Sequence, residues 1–302
     1  MRIATSTAYN SMVNEIQNLD STQNTLEGEL ATGLSISQPS DNPGVMNSVL
    51  NLVSQSQQAS QFAANANTAL QSAQASYSGL SQLNQLSNSV DEIATEASNG
   101  TNSSSQLQEY ATQVDEYMQQ ALQLGNSQFE GNYLYAGTAV SQPPFQATED
   151  ASGQITAVTY AGNSSQASIP LSQSSSISPS TSGVTNQAMA TFMNQMIALR
   201  DALQAGDSAG VATAQGQLST AGDTLVSATA ENSAIQAGIQ SQQTQSTDLQ
   251  QNLGTIISND SSADVATTDT KLSEAQTAYQ AVLESSARIM QTSLLNYLTT
   301  TS

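Results

Sequence analysis

The two ends of this chain carry the same rhythm. Near the N-terminus, Tyr9, Met12, Ile16, Leu19, Gln23, Leu26 and Leu30 recur with alternating steps of three and four. Near the C-terminus, Leu272, Ala275, Tyr279, Val282, Ser286, Ile289 and Ser293 do the same, with Leu283, Met290, Leu294 and Tyr297 beside them. A mean step of about 3.5 residues keeps one stripe of a helix turned toward a partner helix. Each run is too long and too one-sided to be satisfied by water, so the partners expected are each other. Even when paired, two helices bury only one face each, and apolar residues such as Val13 and Leu283 remain on the outer faces. The terminal pair is therefore expected to be marginal alone and to complete its packing in an assembly.

The segments between the ends read as further helices. Gly33 can take the left-handed position after the first run. In the polar loop "LSISQPSDNPG", Asn42 suits an N-cap and Pro43 the first helical position of a second helix. That helix is long, with a seam through Phe62, Ala66, Ala69, Ala73, Ser76, Leu80, Leu83, Ser87, Val90, Ala94 and Ala97. Its small residues let neighbouring helices approach closely. "SNGTNSSS" interrupts it, and a third run follows through Leu107, Tyr110, Val114, Tyr117, Ala121 and Leu124. Helices in series with short turns predict an antiparallel bundle.

After "FEGNYLYAGT" (129 to 138) the period changes. Thr156, Val158 and Tyr160 alternate, Gly162-Asn163 reads as a turn, and a second short strand is expected through Ile169, which together predict a hairpin. "SQSSSISPSTSG" (172 to 183) reads as irregular and solvent-facing. Helical spacing returns at Met189, Phe192, Met196, Leu199 and Leu203, and again past "GDSAG" at Leu218, Leu225 and Ile235. The fold class expected is mainly α: a long coiled-coil-like bundle formed by both chain ends, with a small β-rich head inserted. The domains expected are residues 1–35 with 265–302, residues 36–138 with 184–264, and a head of 139–183. Aromatic residues make up only 4% of the chain, yet Phe129, Tyr133 and Tyr135 cluster where the helical half meets the head. They are expected to anchor its base.

Charge and missing residue types exclude several function classes. The net charge is −20, and the only basic residues are Arg2, Arg200, Lys271 and Arg288. Such a polyanion repels phosphate backbones and anionic lipid, so neither nucleic acid nor membrane is an expected partner. Cysteine and histidine are absent, which removes thiolate chemistry, the common zinc sites and the commonest general base. No serine sits in a Ser-x-x-Lys pair, and the Gly-x-Ser-x-Gly spacing of Gly206 to Gly210 has no histidine in the chain to activate Ser208. Asp91-Glu92 and Asp115-Glu116 lie on expected helices, where sequence neighbours point apart, and read as solvated faces. "SNDSSAD" (258 to 264) lacks the glycine and terminal glutamate of a calcium loop and reads as a helix cap. Asn163-Ser164-Ser165 fits a glycosylation triplet that chance often produces. No catalytic, cofactor-binding or metal residue is expected, and the chain reads as a non-enzyme. No run of about 18 apolar residues occurs, and "MRIATSTAYNSM" has no signal-peptide core, so export would need another route.

Several stretches resemble one family. "LATGLSISQPSDNPG", with Ser40-Asp41-Asn42-Pro43, "FEGNYLYAGT", and the terminal "SARIMQTSLLNYL" are similar to segments of bacterial flagellar axial proteins, in particular the hook-associated junction branch of that flagellin-like family. The resemblance implies a structural role between the hook side and the flagellin filament. It implies as partners another hook-associated junction protein, flagellin, further copies in a ring and an export chaperone. It also implies an extracellular place in the flagellum, reached through the flagellar type III apparatus without a cleaved signal. By that resemblance the assembly interface would comprise Tyr9, Met12, Ile16, Leu19, Leu26 and Leu30 with Leu272, Tyr279, Val282, Ile289, Leu294, Tyr297 and Leu298. Two other readings stay open beside it: a flagellin filament subunit, and a soluble helical signalling or adhesive module.

Overall fold

The computed structural model describes residues 2–300, with side chains at Thr7 and from residue 9 to 291. Its elements run α1 (Arg2–Thr32), α2 (Pro43–Ala97), α3 (Ser104–Gly125), β1 (Gln128–Phe129), β2 (Asn132–Tyr133), β3 (Phe145–Glu149), β4 (Ile155–Tyr160), β5 (Ile169–Pro170), β6 (Ser176–Ile177), α4 (Gly183–Ala205), α5 (Ser208–Ser261) and α6 (Val265–Thr300). The class is mainly α, with short antiparallel strand pairs in the middle. Two compact units form, residues 1–57 with 250–302 and residues 58–249.

In the first unit α1 packs on α6. The punctuation is local chemistry. Gly33 takes φ +70°, and its N–H donates to Glu29 O at 2.8 Å, closing α1. Across the ends of α1 and α5, Ser35 N donates to Ser261 O at 2.8 Å and Ala263 N to Gly33 O at 2.9 Å. In the loop to α2, Asp41 accepts from the N–H groups of Gln38 (2.8 Å) and Ser37 (3.0 Å). These donors hold its carboxyl below the usual carboxylate range. Asn42 Oδ1 accepts from Val45 N and caps α2, with Pro43 as its first residue. Asp264 caps α6 in the same way, accepting from Ala266 N and Thr267 N.

The second unit holds the large core. On α2 the seam from Ala66 through Ala69, Ala73, Ser76, Leu80 and Leu83 to Val90 and Ala94 is fully buried. From Leu80 onward it packs with Val114, Met118 and Ala121 of α3, Met189, Phe192, Met193 and Met196 of α4, and Leu218 and Leu225 of α5, whereas Ala66, Ala69 and Ala73 form a smaller cluster with Leu171 and Ile239. Helix starts follow the capping rules. Ser103 and Gln106 form a reciprocal capping box at α3, Ser182 caps α4, and Gly206 ends it in the left-handed conformation.

The strand pairing differs from the sequence expectation. β4 pairs antiparallel with β3, upstream of it, and not with the segment at Ile169; that segment, β5, pairs with β6. The reason lies in the turn. Asp150 Oδ1 accepts from Ser152 N (2.8 Å) and Gln154 N (3.0 Å), and Gly153 sits at φ +82°, so residues 150–154 close the β3–β4 hairpin. Gly162-Asn163 has another use: Asn163 Oδ1 accepts from Thr138 N at 3.0 Å and Ser165 N at 3.1 Å, which ties two loops together. The serine-rich tract is also less exposed than expected, since Pro179 and Thr181 are buried and Ser176–Ile177 forms β6.

One charge was misplaced by the sequence reading. Asp115 is no solvated face: its Oδ1 accepts from Nη1 of Arg200 at 2.9 Å, and Arg200 is only 2% exposed.

Candidate assembly surface

The seam residues of α1 and α6 face each other. Met12, Ile16, Leu19 and Leu30 are half-buried, Leu26 is buried, and Tyr9 remains 55% exposed. Opposite them Leu272, Tyr279 and Val282 are half-buried, Ala275 is buried and Ile289 is 40% exposed. The helices run antiparallel, because Thr268 at the start of α6 donates to Glu29 near the end of α1. Leu294, Tyr297 and Leu298 lie outside the residues whose side chains are described. Of the described residues named from sequence, then, most are used first within the chain, in the pairing of α1 with α6.

Burial fades toward the start of α1. There the two helices frame an apolar cleft of ≈ 240 Å³, lined by Tyr9, Met12, Val13 and Ile16 on one side and by Leu283, Ala287, Ile289 and Met290 on the other. Leu283 is 43% and Met290 51% exposed. The strip holds no carboxylate among its lining residues, in a chain of net charge −20. Val13, Leu283 and Met290 are apolar residues that the sequence already places outside or beside the seam, and Ala287 joins them in the structure.

At the junction with the strands, Tyr135 is fully buried and its phenol donates to Ser76 O of α2 at 2.8 Å. Burial pushes that phenol up, so it stays a neutral donor. Gly79 makes room for it, since a Cβ there would overlap the Tyr135 hydroxyl. Tyr160 Oη donates to Tyr135 O and accepts from Asn186 Nδ2 at 3.1 Å. Phe129 is half-buried against the main core, and Tyr133 is half-buried with its N–H on Val140 O at 3.1 Å. The segment thus forms a polar-pinned, aromatic-filled joint.

No helix among the described residues is long and apolar enough to cross a membrane. No group of three or more candidate ligand side chains that could hold a metal occurs among them either.

Residues 3–140 match the family model described as the bacterial flagellin N-terminal helical region. No curated protein matches the chain by sequence. Among solved structures, a putative flagellar hook-associated protein of Vibrio parahaemolyticus aligns with TM-score 0.65 at 15% identity, covering 74% of this chain and 100% of that one. FlgL of Bacillus cereus aligns with TM-score 0.57 at 16% identity, covering 69% and 97%. Flagellar hook-associated protein 3 of Legionella pneumophila aligns with TM-score 0.55 at 11% identity, covering 71% and 98%.

Proposed function

We propose that this chain, whose residues 3–140 match a flagellin N-terminal helical region, is a structural protein of the bacterial flagellum standing at the junction of hook and filament. The observation that carries the reading is the unfilled apolar cleft between α1 and α6. It supplies a surface for another helical subunit, within a fold similar to that of FlgL and hook-associated proteins. The role is structural rather than catalytic. Copies pack side by side through Tyr9, Met12, Val13, Leu283, Ile289 and Met290, with Ile16, Leu19, Leu26, Leu30, Leu272, Tyr279 and Val282 holding each terminal pair together. Leu294, Tyr297 and Leu298 extend that surface. On this reading the terminal helices carry the contacts between copies. The ring contacts a second hook-associated protein on one side and flagellin on the other. The subunit leaves the cell through the flagellar type III route without a cleaved signal, escorted before export by a chaperone.

A strain lacking this gene tests the reading. Cells that keep hooks and shed flagellin monomers into the medium support it, because the filament then has nothing to seat on. Normal filaments overturn it. A filament subunit, the reading that the flagellin match by itself also favours, predicts instead that no flagellin-like protein is shed and that the purified chain polymerises.

A further inference from the structure

The β3–β4 hairpin lies along α4, and side chains of the helices do for its backbone what a neighbouring strand would do. At its root, Asn126 after α3 both donates to Phe145 O (2.8 Å) and accepts from Phe145 N (3.0 Å). Midway, Asn194 of α4 accepts from Val158 N (2.9 Å) and donates to Val158 O (2.7 Å). Near its tip, Arg200 Nη1 donates to Ile155 O at 2.7 Å. These contacts satisfy backbone groups that an isolated hairpin would leave open. Beneath the hairpin, Phe145, Ile155 and Val158 pack with Met189, Met193 and Met196, an apolar layer of adaptable side chains.

The tip contact differs from the other two in kind. Arg200 is the only basic residue between Arg2 and Lys271. Besides Ile155 O, its buried guanidinium serves Asp115 Oδ1 of α3 at 2.9 Å and Asp201 Oδ1 at 2.7 Å. Asp150 of the hairpin turn also feels it, although Ser152 and the turn's own N–H groups do more to hold that carboxyl low. A single cation therefore stands among Asp115, Asp201 and Asp150. With the cation in place, these charges draw the hairpin tip and α3 onto α4. Without it, they repel.

We propose that the β3–β4 hairpin is a strap that opens as a unit of its own about the Asn126 root, and that Arg200 is the electrostatic latch at its free end. Opening uncovers the methionine face of α4 while the helices stay folded. Arg200 acts as a positioning residue, through charge as much as through shape.

Amide hydrogen exchange on the intact chain tests this. In the unaltered protein, β3 and β4 amides are expected to exchange through an opening that responds weakly to low denaturant, whereas those of Met189 to Leu203 exchange only with global unfolding. In Arg200→Met, exchange within 145–160 rises roughly 10- to 100-fold, the scale of losing charge-assisted hydrogen bonds, with α2 and α5 unchanged. Adding Asp115→Asn and Asp201→Asn to Arg200→Met restores part of the protection, since it removes the repulsion. Three results would overturn the proposal: hairpin and helices exchanging together in the unaltered protein, unchanged hairpin exchange in Arg200→Met, or no recovery in the triple variant, which would reduce Arg200 to a packing role.

Discussion

Along α2, Ala66, Ala69, Ala73, Leu80, Leu83, Val90 and Ala94 are all at 0% exposure, while on α1 and α6 the described seam drops below a tenth only at Leu26 and Ala275. Both regions use the same three-four rhythm. The difference is what surrounds each seam. The middle closes its own core with α3, α4, α5 and the hairpin, so every seam position meets a side chain from another element. The terminal pair has two helices and an open flank, ending in the cleft between Tyr9 and Met290. A heptad pattern specifies that a stripe will be covered, and leaves unstated whether the cover comes from the same chain.

The sharpest way to break this comparison is to remove comparable apolar volume from each region. Leu199→Ala, in the closed core of the middle, is expected to cost about 2–5 kcal/mol. Ile16→Ala, on the half-buried terminal seam, should cost no more than about 1–2 kcal/mol because part of that side chain already meets water. Denaturant unfolding followed separately by probes in the two regions checks both values. Equal losses would mean that the terminal pair is as self-sufficient as the middle.

The joint at Tyr135 sharpens the comparison further, because the middle depends on close fit as well as burial. Gly79→Ala is expected to destabilise by about 1–3 kcal/mol, since the added methyl meets the Tyr135 hydroxyl. Tyr135→Phe removes the bond to Ser76 O and costs about 1 kcal/mol. The double variant should cost less than the sum, because deleting the hydroxyl makes space for the methyl. Strict additivity in thermal or urea unfolding would contradict the packing described.

These sites also mark what could be read in advance. The helices, their seams and the caps at Asn42 and within residues 258–264 follow from periodicity and capping chemistry, which act within a few residues of sequence. The strand partners did not follow, because Gly162-Asn163 and Asp150-Ala151-Ser152-Gly153 are both good turns and only packing against Met193 and Asn194 decides which one closes the hairpin. The burial of Arg200 was hidden for a related reason: its partners Asp115 and Ile155 are 85 and 45 residues away. Val13 and Leu283 were expected on the outer faces from their place beside the seam, while the cleft that they line with Tyr9 and Ala287 required the helix pairing itself.

A smaller effect is expected at the cleft. Val13→Asp with Leu283→Asp places charges on surfaces already in contact with water, so monomer stability should change by less than about 1 kcal/mol. On the proposed assembly the same pair of carboxylates would be buried against a neighbour without a partner, and motility of a strain carrying the variant should be lost. A folded variant that supports normal filaments would remove the cleft from the interface.

The smallest effect belongs to Asp264, where α6 begins. The Thr267 hydroxyl, with the N–H groups of Thr267 and Ala266, holds its carboxyl below the usual range. A carboxyl lowered by folding contributes stability that is fully present above its unfolded value near 3.8 and is lost as pH falls through the lower folded value. Acidification below pH 4 should therefore loosen the first turn of α6 before the buried middle responds. Asp264→Ala should loosen that turn at neutral pH and abolish the acid step there. Amide exchange at Ala266 to Thr268, followed from pH 6 downward in both proteins, reads this directly. An acid step that persists in Asp264→Ala would overturn its assignment to Asp264.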